Sequence, residues 1–413
     1  MSRAILRLSP RLSYWTGTMD PEEAFSVPEA GGAALLRATT AGEKRGRFFR
    51  SSSSTRAGAD SFTPAWWMTG AHLQTVWGRV TRPRRRLAYR REILETPDGD
   101  ELVVDHCDGA QQSPRLVILH GLEGSSYSVY VQGLLASALA AGLSGTAMNF
   151  RSCARDPREL ARAIPNRRPR LYHSGETEDF DFLLATLSAR EPGVPLVAVG
   201  ASLGGNVLLK WLGEHPAQTV IRAAAAISTP FDLAAGARRL EKGMGRLYTE
   251  SFLRTLRPKA LEAARRFPEA GARIDVARVA RSKTFWEFDD AANAPLHGFA
   301  GADDYYRRAS CLPLLGRITT PVLCISAQDD PFLPAECLER VRREASPAVE
   351  HLWTLRGGHI GFVEGAVPWK VRYWAETRAI AFLAGHAFAP GHAVTGPREG
   401  TALAVNPTEE GPR

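Results

Sequence analysis

The stretch Val194–His215 reads VPLVAVGASLGGNVLLKWLGEH. Leu196 to Val199 is a short apolar run bounded by Pro195 and Gly200, the pattern of a strand buried on both faces in a parallel sheet. Val207, Leu208, Trp211 and Leu212 then recur at the spacing of one helix face. Between strand and helix lies Gly200-Ala201-Ser202-Leu203-Gly204, a Gly-x-Ser-x-Gly turn of the nucleophile-elbow kind. A serine on so sharp a turn sits in a strained backbone conformation, and bulky residues two positions away on either side would strike the adjoining strand and helix. The turn raises the hydroxyl above the sheet edge at a helix N-terminus, where backbone N–H groups and the helix dipole favour developing negative charge. The plainer reading is a Gly-rich strand-to-helix turn with an incidental serine; the flanking strand and helix favour the nucleophile.

Working outward, Arg90–Leu94 and Leu102–His106 alternate about Pro97-Asp98-Gly99-Asp100 and predict a hairpin. Arg115–Leu119 is a buried strand leading into His120-Gly121-Leu122-Glu123-Gly124. A helix follows over about Tyr127–Ala141, then a strand over Gly145–Phe150, with Asn149-Phe150-Arg151 at the sheet end where ligands bind. His173-Ser174-Gly175-Glu176 opens a helix running to about Arg190, and Val220–Ile227 is the strand after the elbow unit. Phe231 to about Leu315 breaks the strand–helix rhythm and reads as a helical cap inserted between two sheet strands. The rhythm resumes with a strand at Pro321–Ser326, a helix near Ala335–Glu344, a strand near Val349–Leu355 and a last helix over about Ala366–Leu383.

A serine needs a base, and the base an orienting group. Of ten histidines, His359 lies in the Gly-rich run Arg356-Gly357-Gly358-His359-Ile360-Gly361-Phe362 after the last strand. The acid is expected in Ala327-Gln328-Asp329-Asp330-Pro331-Phe332-Leu333-Pro334, directly after the preceding strand. Asp330, beside the Pro-x-x-Pro turn, is preferred, with Asp329 as a capping or loop-fixing neighbour. Backbone N–H groups of Leu203 and Leu122 are the expected oxyanion donors, and His120 is read as shaping its loop rather than as a second catalytic histidine. Trp66, Trp67, Met68, Leu73 and Trp77 form an aromatic cluster. It is read first as packing over the outside of the domain; the sharper alternative, shared with Phe285, Trp286 and Phe288, is a wall for an acyl chain or a membrane contact.

The chain resembles the YheT-like, abhydrolase-domain branch of the α/β-hydrolase superfamily over about Phe62–Leu383. The motifs that carry this are Ala71-His72-Leu73-Gln74-Thr75, His120-Gly121-Leu122-Glu123-Gly124, Asn149-Phe150-Arg151 and Tyr172-His173-Ser174-Gly175-Glu176-Thr177. Ser202-Leu203-Gly204-Gly205-Asn206, Asp304-Tyr305-Tyr306, Asp329-Asp330-Pro331-Phe332 and Gly357-Gly358-His359-Ile360-Gly361-Phe362 complete the set. The resemblance implies an α/β-hydrolase fold: a mostly parallel central sheet, helices on both faces and an inserted helical cap. It also implies a serine hydrolase of carboxylic esters, lipid-like esters included, working through Ser202, Asp330 and His359 without cofactor or metal. Acyl transfer on the same triad, and a ligand-binding member without catalysis, stay open as alternatives.

Composition bounds the rest. The 413 residues are 44% hydrophobic and 23% charged, ordinary for a globular protein, and no apolar run has membrane-spanning length. Residues 61–388 are expected to form the hydrolase domain, with the cap at about 231–315; residues 1–60, with their four-serine run, and 389–413 are expected to be disordered. Met19 is an alternative start, Arg3, Arg7 and Arg11 hint at a targeting leader, and no secretory signal is read. Five scattered cysteines without metal-ligand spacing point to reduced thiols and a cytoplasmic protein. The net charge of +8 comes without a nucleic-acid-binding motif. It is therefore read as solvated basic faces, with peripheral contact to anionic lipid open and oligomeric state undetermined.

Overall fold

The computed structural model describes residues 61–389; the expected leader, and the tail from 390 on, lie outside the described residues. Ten strands are formed there: β1 Arg90–Glu95, β2 Glu101–Cys107, β3 Arg115–Leu119, β4 Ser144–Met148, β5 Leu196–Ala201, β6 Ile221–Ile227, β7 Val322–Ala327, β8 Val349–Thr354, β9 Val363–Val367 and β10 Lys370–Tyr373. The first eight make one sheet in the order β1-β2-β4-β3-β5-β6-β7-β8. Its pairs are parallel from β4 to β8, and β2 runs antiparallel to both β1 and β4.

Burial on both faces explains why the central strands read as unbroken apolar runs. In β5, Leu196 and Ala198 face one core while Val197 and Val199 face the other, the two-residue alternation of a pleated strand. The first core is closed by Val207, Leu208, Trp211 and Leu212 of α4 (Leu203–Glu214), together with Leu183 and Leu187 of α3 (Glu178–Arg190). The second is closed by Leu134 and Leu135 of α2 (Val129–Ala140) and by Ala379, Ile380 and Leu383 of α13 (Trp374–Ala387). Each fully buried Leu, Ile or Val among them contributes about 1.5–3 kcal/mol.

Between β6 and β7 the chain leaves the sheet for a helical insertion. It comprises α5 Leu233–Leu240, α6 Gly245–Arg266, α7 Pro268–Gly271, α8 Val276–Arg281, α9 Phe285–Phe288, a π-helical turn Asp289–Asn293, α10 Ala294–Leu296, α11 Ala302–Ala309 and a 3₁₀ turn Leu312–Arg317. Its apolar residues, among them Leu253, Ala260, Phe288 and Tyr306, form a core of their own. Helices α1 (Ala71–Thr81) and α12 (Ala335–Glu344) complete the order.

One expectation is corrected. The last helix begins at Trp374, not near Ala366, because Val363–Tyr373 is the antiparallel hairpin β9–β10. Val363, Val367 and Val371 are β-branched, and the turn between the strands carries Pro368, which cannot donate a helical hydrogen bond. All five cysteines are free and buried, and among the described residues no helix is long and apolar enough to cross a membrane.

Candidate active site

Four loops meet at the carboxyl edge of the parallel strands, where open α/β sheets hold their ligands. The elbow follows β5, the His120–Gly124 loop follows β3, the Asp329–Pro334 loop follows β7, and the Gly357–Phe362 loop follows β8. Ser202 has φ 52° and ψ −121°, a left-handed-side conformation that a non-glycine residue holds only when its surroundings impose it. The imposition is visible in the glycines beside it. A Cβ on Gly200 would lie 2.3 Å from the carbonyl oxygen of Gly204, and one on Gly204 would lie 2.3 Å from that of Leu119. Strand, turn and helix pack so closely there that only glycine fits.

Ser202 Oγ lies 2.9 Å from His359 Nε2, and His359 Nδ1 lies 2.8 Å from Asp330 Oδ2. Asp330 is 1% exposed, and its other oxygen accepts the Phe332 N–H at 2.8 Å, so the carboxylate is fixed at both ends. The Phe332 ring stacks on the imidazole, with centroids 4.1 Å apart and planes 15° apart. Asp329 points elsewhere: its Oδ1 accepts the Gly358 N–H at 2.9 Å, the loop-fixing contact of the alternative reading.

The histidine loop is held from outside the sheet, by a device the sequence reading did not find. Thr75 Oγ1 on α1 accepts the His359 N–H at 2.9 Å, and Gln74 Oε1 accepts the Val363 N–H at 2.7 Å. A Cβ on Gly358 would lie 2.4 Å from the Ala71 carbonyl oxygen, so loop and helix touch backbone to backbone. On the other side Ser228 Oγ, at the end of β6, accepts the Ile360 N–H at 3.0 Å. The motif Ala71–Thr75 was the available signal; nothing in its spacing ties it to a loop 284 residues away.

In the loop after β3 the backbone donors are spoken for one by one. Gly121 N–H donates to Tyr130 Oη at 2.7 Å, Glu123 N–H to Tyr172 Oη at 2.8 Å, and Gly124 N–H to the Gly121 carbonyl at 2.9 Å. The Leu122 N–H has no such acceptor among the described residues, nor has that of Leu203, the first residue of α4. Both residues line the cavity that contains Ser202 and His359. Tyr172 Oη in turn donates to Glu123 Oε1 at 2.9 Å, and Lys259 Nζ of α6 reaches the same oxygen at 2.6 Å. Burial alone would raise the Glu123 carboxyl, but the Lys259 ammonium and its hydrogen bond bring it below the usual range.

His120 stays out of this chain. Its Nε2 accepts the Phe150 N–H at 3.1 Å, so Nδ1 carries the hydrogen and donates to the Gly121 carbonyl at 2.7 Å. Burial lowers its pKa to about 4 and keeps it neutral. Asn149 and Arg151, expected at a ligand-binding edge, are structural. Asn149 Oδ1 accepts the Ser126 N–H, and the buried Arg151 guanidinium joins Asp98, Asp100 and Asp179 at 2.6–2.9 Å. Asn206, behind the elbow, ties Ser174, Ala309 and Cys311 to α4 through three backbone contacts of 2.7–2.9 Å.

The cavity is about 830 Å³, with Leu240, Phe252, Leu256, Phe285 and Leu333 among its apolar lining. Of the rings weighed as an acyl wall, only Phe285 lines it. Trp67 and Trp77 pack together at 4.9 Å over Met68 and Val363, Trp66 is 79% exposed, Trp286 packs on Tyr306, and Phe288 is buried inside the insertion.

Comparison with known proteins agrees with this architecture. Residues 114–366 match the alpha/beta hydrolase fold family. The chain is 37% identical to YheT of Escherichia coli K12, a candidate esterase by name, over 77% of this chain and 91% of that protein. It is 29% identical to the mouse phospholipase ABHD3 over 76% of each chain. A monoacylglycerol lipase of Saccharomyces cerevisiae is also 29% identical, over 66% of this chain and 59% of the lipase. With a family match over more than half its length and a relative of this identity and coverage, the chain belongs to the α/β-hydrolase family, in the YheT-like branch.

Proposed function

We propose that this protein is a carboxylic ester hydrolase that works through an acyl-enzyme on Ser202. The observation that carries the reading is the unbroken chain Ser202 Oγ–His359 Nε2 at 2.9 Å and His359 Nδ1–Asp330 Oδ2 at 2.8 Å, at an elbow with positive φ. His359 Nε2 takes the Ser202 proton as Oγ bonds to the ester carbonyl carbon, and the carbonyl oxygen becomes an oxyanion held by the Leu122 and Leu203 N–H groups. Asp330 fixes the imidazole with its Nδ1–H toward the carboxylate and stabilises the imidazolium that forms. Collapse breaks the bond to the leaving alcohol, which takes its proton from His359. A water then gives a proton to His359 and attacks the acyl carbon; as the Oγ–acyl bond breaks, His359 returns that proton to Ser202 Oγ and the acid is released. The esterase, phospholipase and lipase names of the relatives support the substrate class. The apolar lining suits an acyl chain, each buried methylene of which would contribute about 0.8 kcal/mol.

Fluorophosphonate labelling with mapping of the modified residue tests the reading. A label on Ser202, blocked by Ser202→Ala and His359→Ala together with ester hydrolysis, is the expected result. A well-folded protein that binds long-chain esters yet neither reacts nor turns over would belong to the non-catalytic alternative instead.

A further inference from the structure

Asp289 stands in the wall of the cavity that also holds Ser202 and His359, on the side formed by the insertion. It is the first residue of the π-helical turn Asp289–Asn293, a local irregularity of the kind often found at functional sites. Its Oδ1 accepts from Asn293 Nδ2 and its Oδ2 from Tyr306 Oη, each at 2.6 Å, and Asn293 and Tyr306 line the same cavity. Each carboxylate oxygen can accept twice, so two acceptor positions are left over.

The neighbouring Asp290 shows what a structural acid does at this place. One of its oxygens accepts the Ala302 N–H at 3.0 Å, capping α11, and the other meets Arg278 at 2.8 Å on the surface. Asp289 does neither. It caps no helix, and no cation among the described residues bears on it: burial, Tyr306 and Asn293 account for its environment. An asparagine could accept from Tyr306 through its oxygen and donate through its NH2 to Asn293 with that amide turned over, so cross-linking the insertion does not require a carboxylate. A buried acid without a counter-charge is costly and is kept where something else completes it. Asp289 keeps 7% exposure, and the wall it shares with Leu240, Leu256, Phe285, Asn293 and Tyr306 brings no cation to it, which leaves that completion to a ligand.

We propose that Asp289, with Asn293 and Tyr306, is a substrate subsite for a hydrogen-bond donor, a hydroxyl or a protonated amine, carried by the ester away from its scissile carbonyl. The substrate is then an ester with a polar group on an otherwise apolar chain, not a plain alkyl ester. This rests on Ser202 being the nucleophile of the same cavity.

Two ester series test it, one with the donor on the acyl side and one with it on the alcohol side. In the first, p-nitrophenyl 6-hydroxyhexanoate is compared with the heptanoate, and the 6-(dimethylamino)hexanoate with the 7-methyloctanoate. In the second, the butyrate monoester of 1,4-butanediol is compared with pentyl butyrate. In one series at least, kcat/KM for the donor ester should exceed that of its methyl isostere about tenfold or more, the discrimination expected of a hydrogen bond to a charged group. Asp289→Leu should bring every such ratio to about one. Asp289→Asn, which keeps shape and hydrogen bonding, should spare a preference for hydroxyl but abolish one for ammonium, which separates the two donors. Ratios near one in both series for the wild type overturn the subsite, as does a wild-type preference that survives Asp289→Leu. Fluorophosphonate labelling in the same preparation separates the failures: an unlabelled Ser202 refutes the nucleophile, whereas a labelled Ser202 with flat ratios refutes the subsite alone.

Discussion

Replacing Asp289 by asparagine removes a charge that the folded protein would otherwise have to bury, and the size of the effect follows from the site. Burial raises the Asp289 pKa from 3.8 to about 7, against the smaller pull of the Tyr306 and Asn293 hydrogen bonds. The other ionisable groups near the turn include Asp275 and His297, whose backbone N–H groups bond to it, Tyr305, Glu241 beyond Tyr306, and the surface pair Asp290–Arg278; among the described residues no cation bears on Asp289. The folded state therefore binds a proton more tightly than the unfolded chain. Stability that is complete below about pH 4 falls as pH rises and is fully lost above about pH 7. At about 1.4 kcal/mol for each pKa unit, the roughly three-unit difference amounts to about 4 kcal/mol. Asparagine carries no such penalty. Urea unfolding at pH 5 and pH 8.5 should show Asp289→Asn gaining about 3 kcal/mol on the wild type between the two values, with unchanged m-values. A pH-independent difference would mean that Asp289 ionises as it does in water, and the buried, uncompensated acid would have to be abandoned. A polar ester or product that supplies the missing donor should narrow the gap at pH 8.5.

Ser202→Ala and His359→Ala should each lower kcat for ester hydrolysis by on the order of 10⁶, and the double variant should be little worse, because the residues act as a unit. Asp330→Asn should cost roughly 10⁴ in kcat by favouring the wrong imidazole tautomer. Asp329→Asn should cost far less, since an amide oxygen can still accept the Gly358 N–H; the opposite ranking in folded proteins would move the acid to Asp329. Lys259→Met leaves the Glu123 carboxylate buried and unpaired and should destabilise by about 3–5 kcal/mol in urea, much of it recovered in Lys259→Met with Glu123→Gln. An additive pair of effects would deny the coupling.

What the sequence disclosed followed burial. β5, β6 and β7 are covered on both faces, so their runs Leu196–Val199, Ala223–Ile227 and Val322–Ile325 announce strands without regard to anything distant. The elbow was legible because strand, turn and helix are consecutive and because close packing there admits only glycine. Val363–Tyr373 was not: Ala366, Val367, Trp369 and Val371 fit an apolar helix start as well as a hairpin, and the register is settled by pairing of Val363 with Tyr373. The aromatic cluster was legible as a cluster, but the hairpin it packs against was not. Trp67 donates to the Gly365 carbonyl at 3.1 Å and Trp66 to that of Ala366 at 2.9 Å, contacts with a hairpin whose sequence reads as helix. Asp289 carried no local sign at all, since its meaning depends on Tyr306 and on the cavity.

The two loops proposed to carry the chemistry are steadied from outside the sheet, and this sets how the site is built. A sheet fixes where its strands end, but the residues beyond are free to move unless other elements hold them. Helix α1 accepts the His359 N–H through Thr75 and the Val363 N–H through Gln74, so the base is held by a segment preceding the first strand. Helix α6 of the insertion reaches Glu123 through Lys259, while Tyr172 secures the same residue through both its N–H and its carboxylate. Glu123, at φ 57°, directly follows Leu122, and with the N–H groups of Gly121, Glu123 and Gly124 all engaged, the Leu122 N–H is the donor this loop leaves over. A donor unoccupied before substrate arrives costs no reorganisation when charge develops on the carbonyl oxygen. The ion pair at Glu123 thus connects the insertion that shapes the cavity with the loop proposed to hold the oxyanion, and on that proposal a shift of α6 would change rate as well as fit.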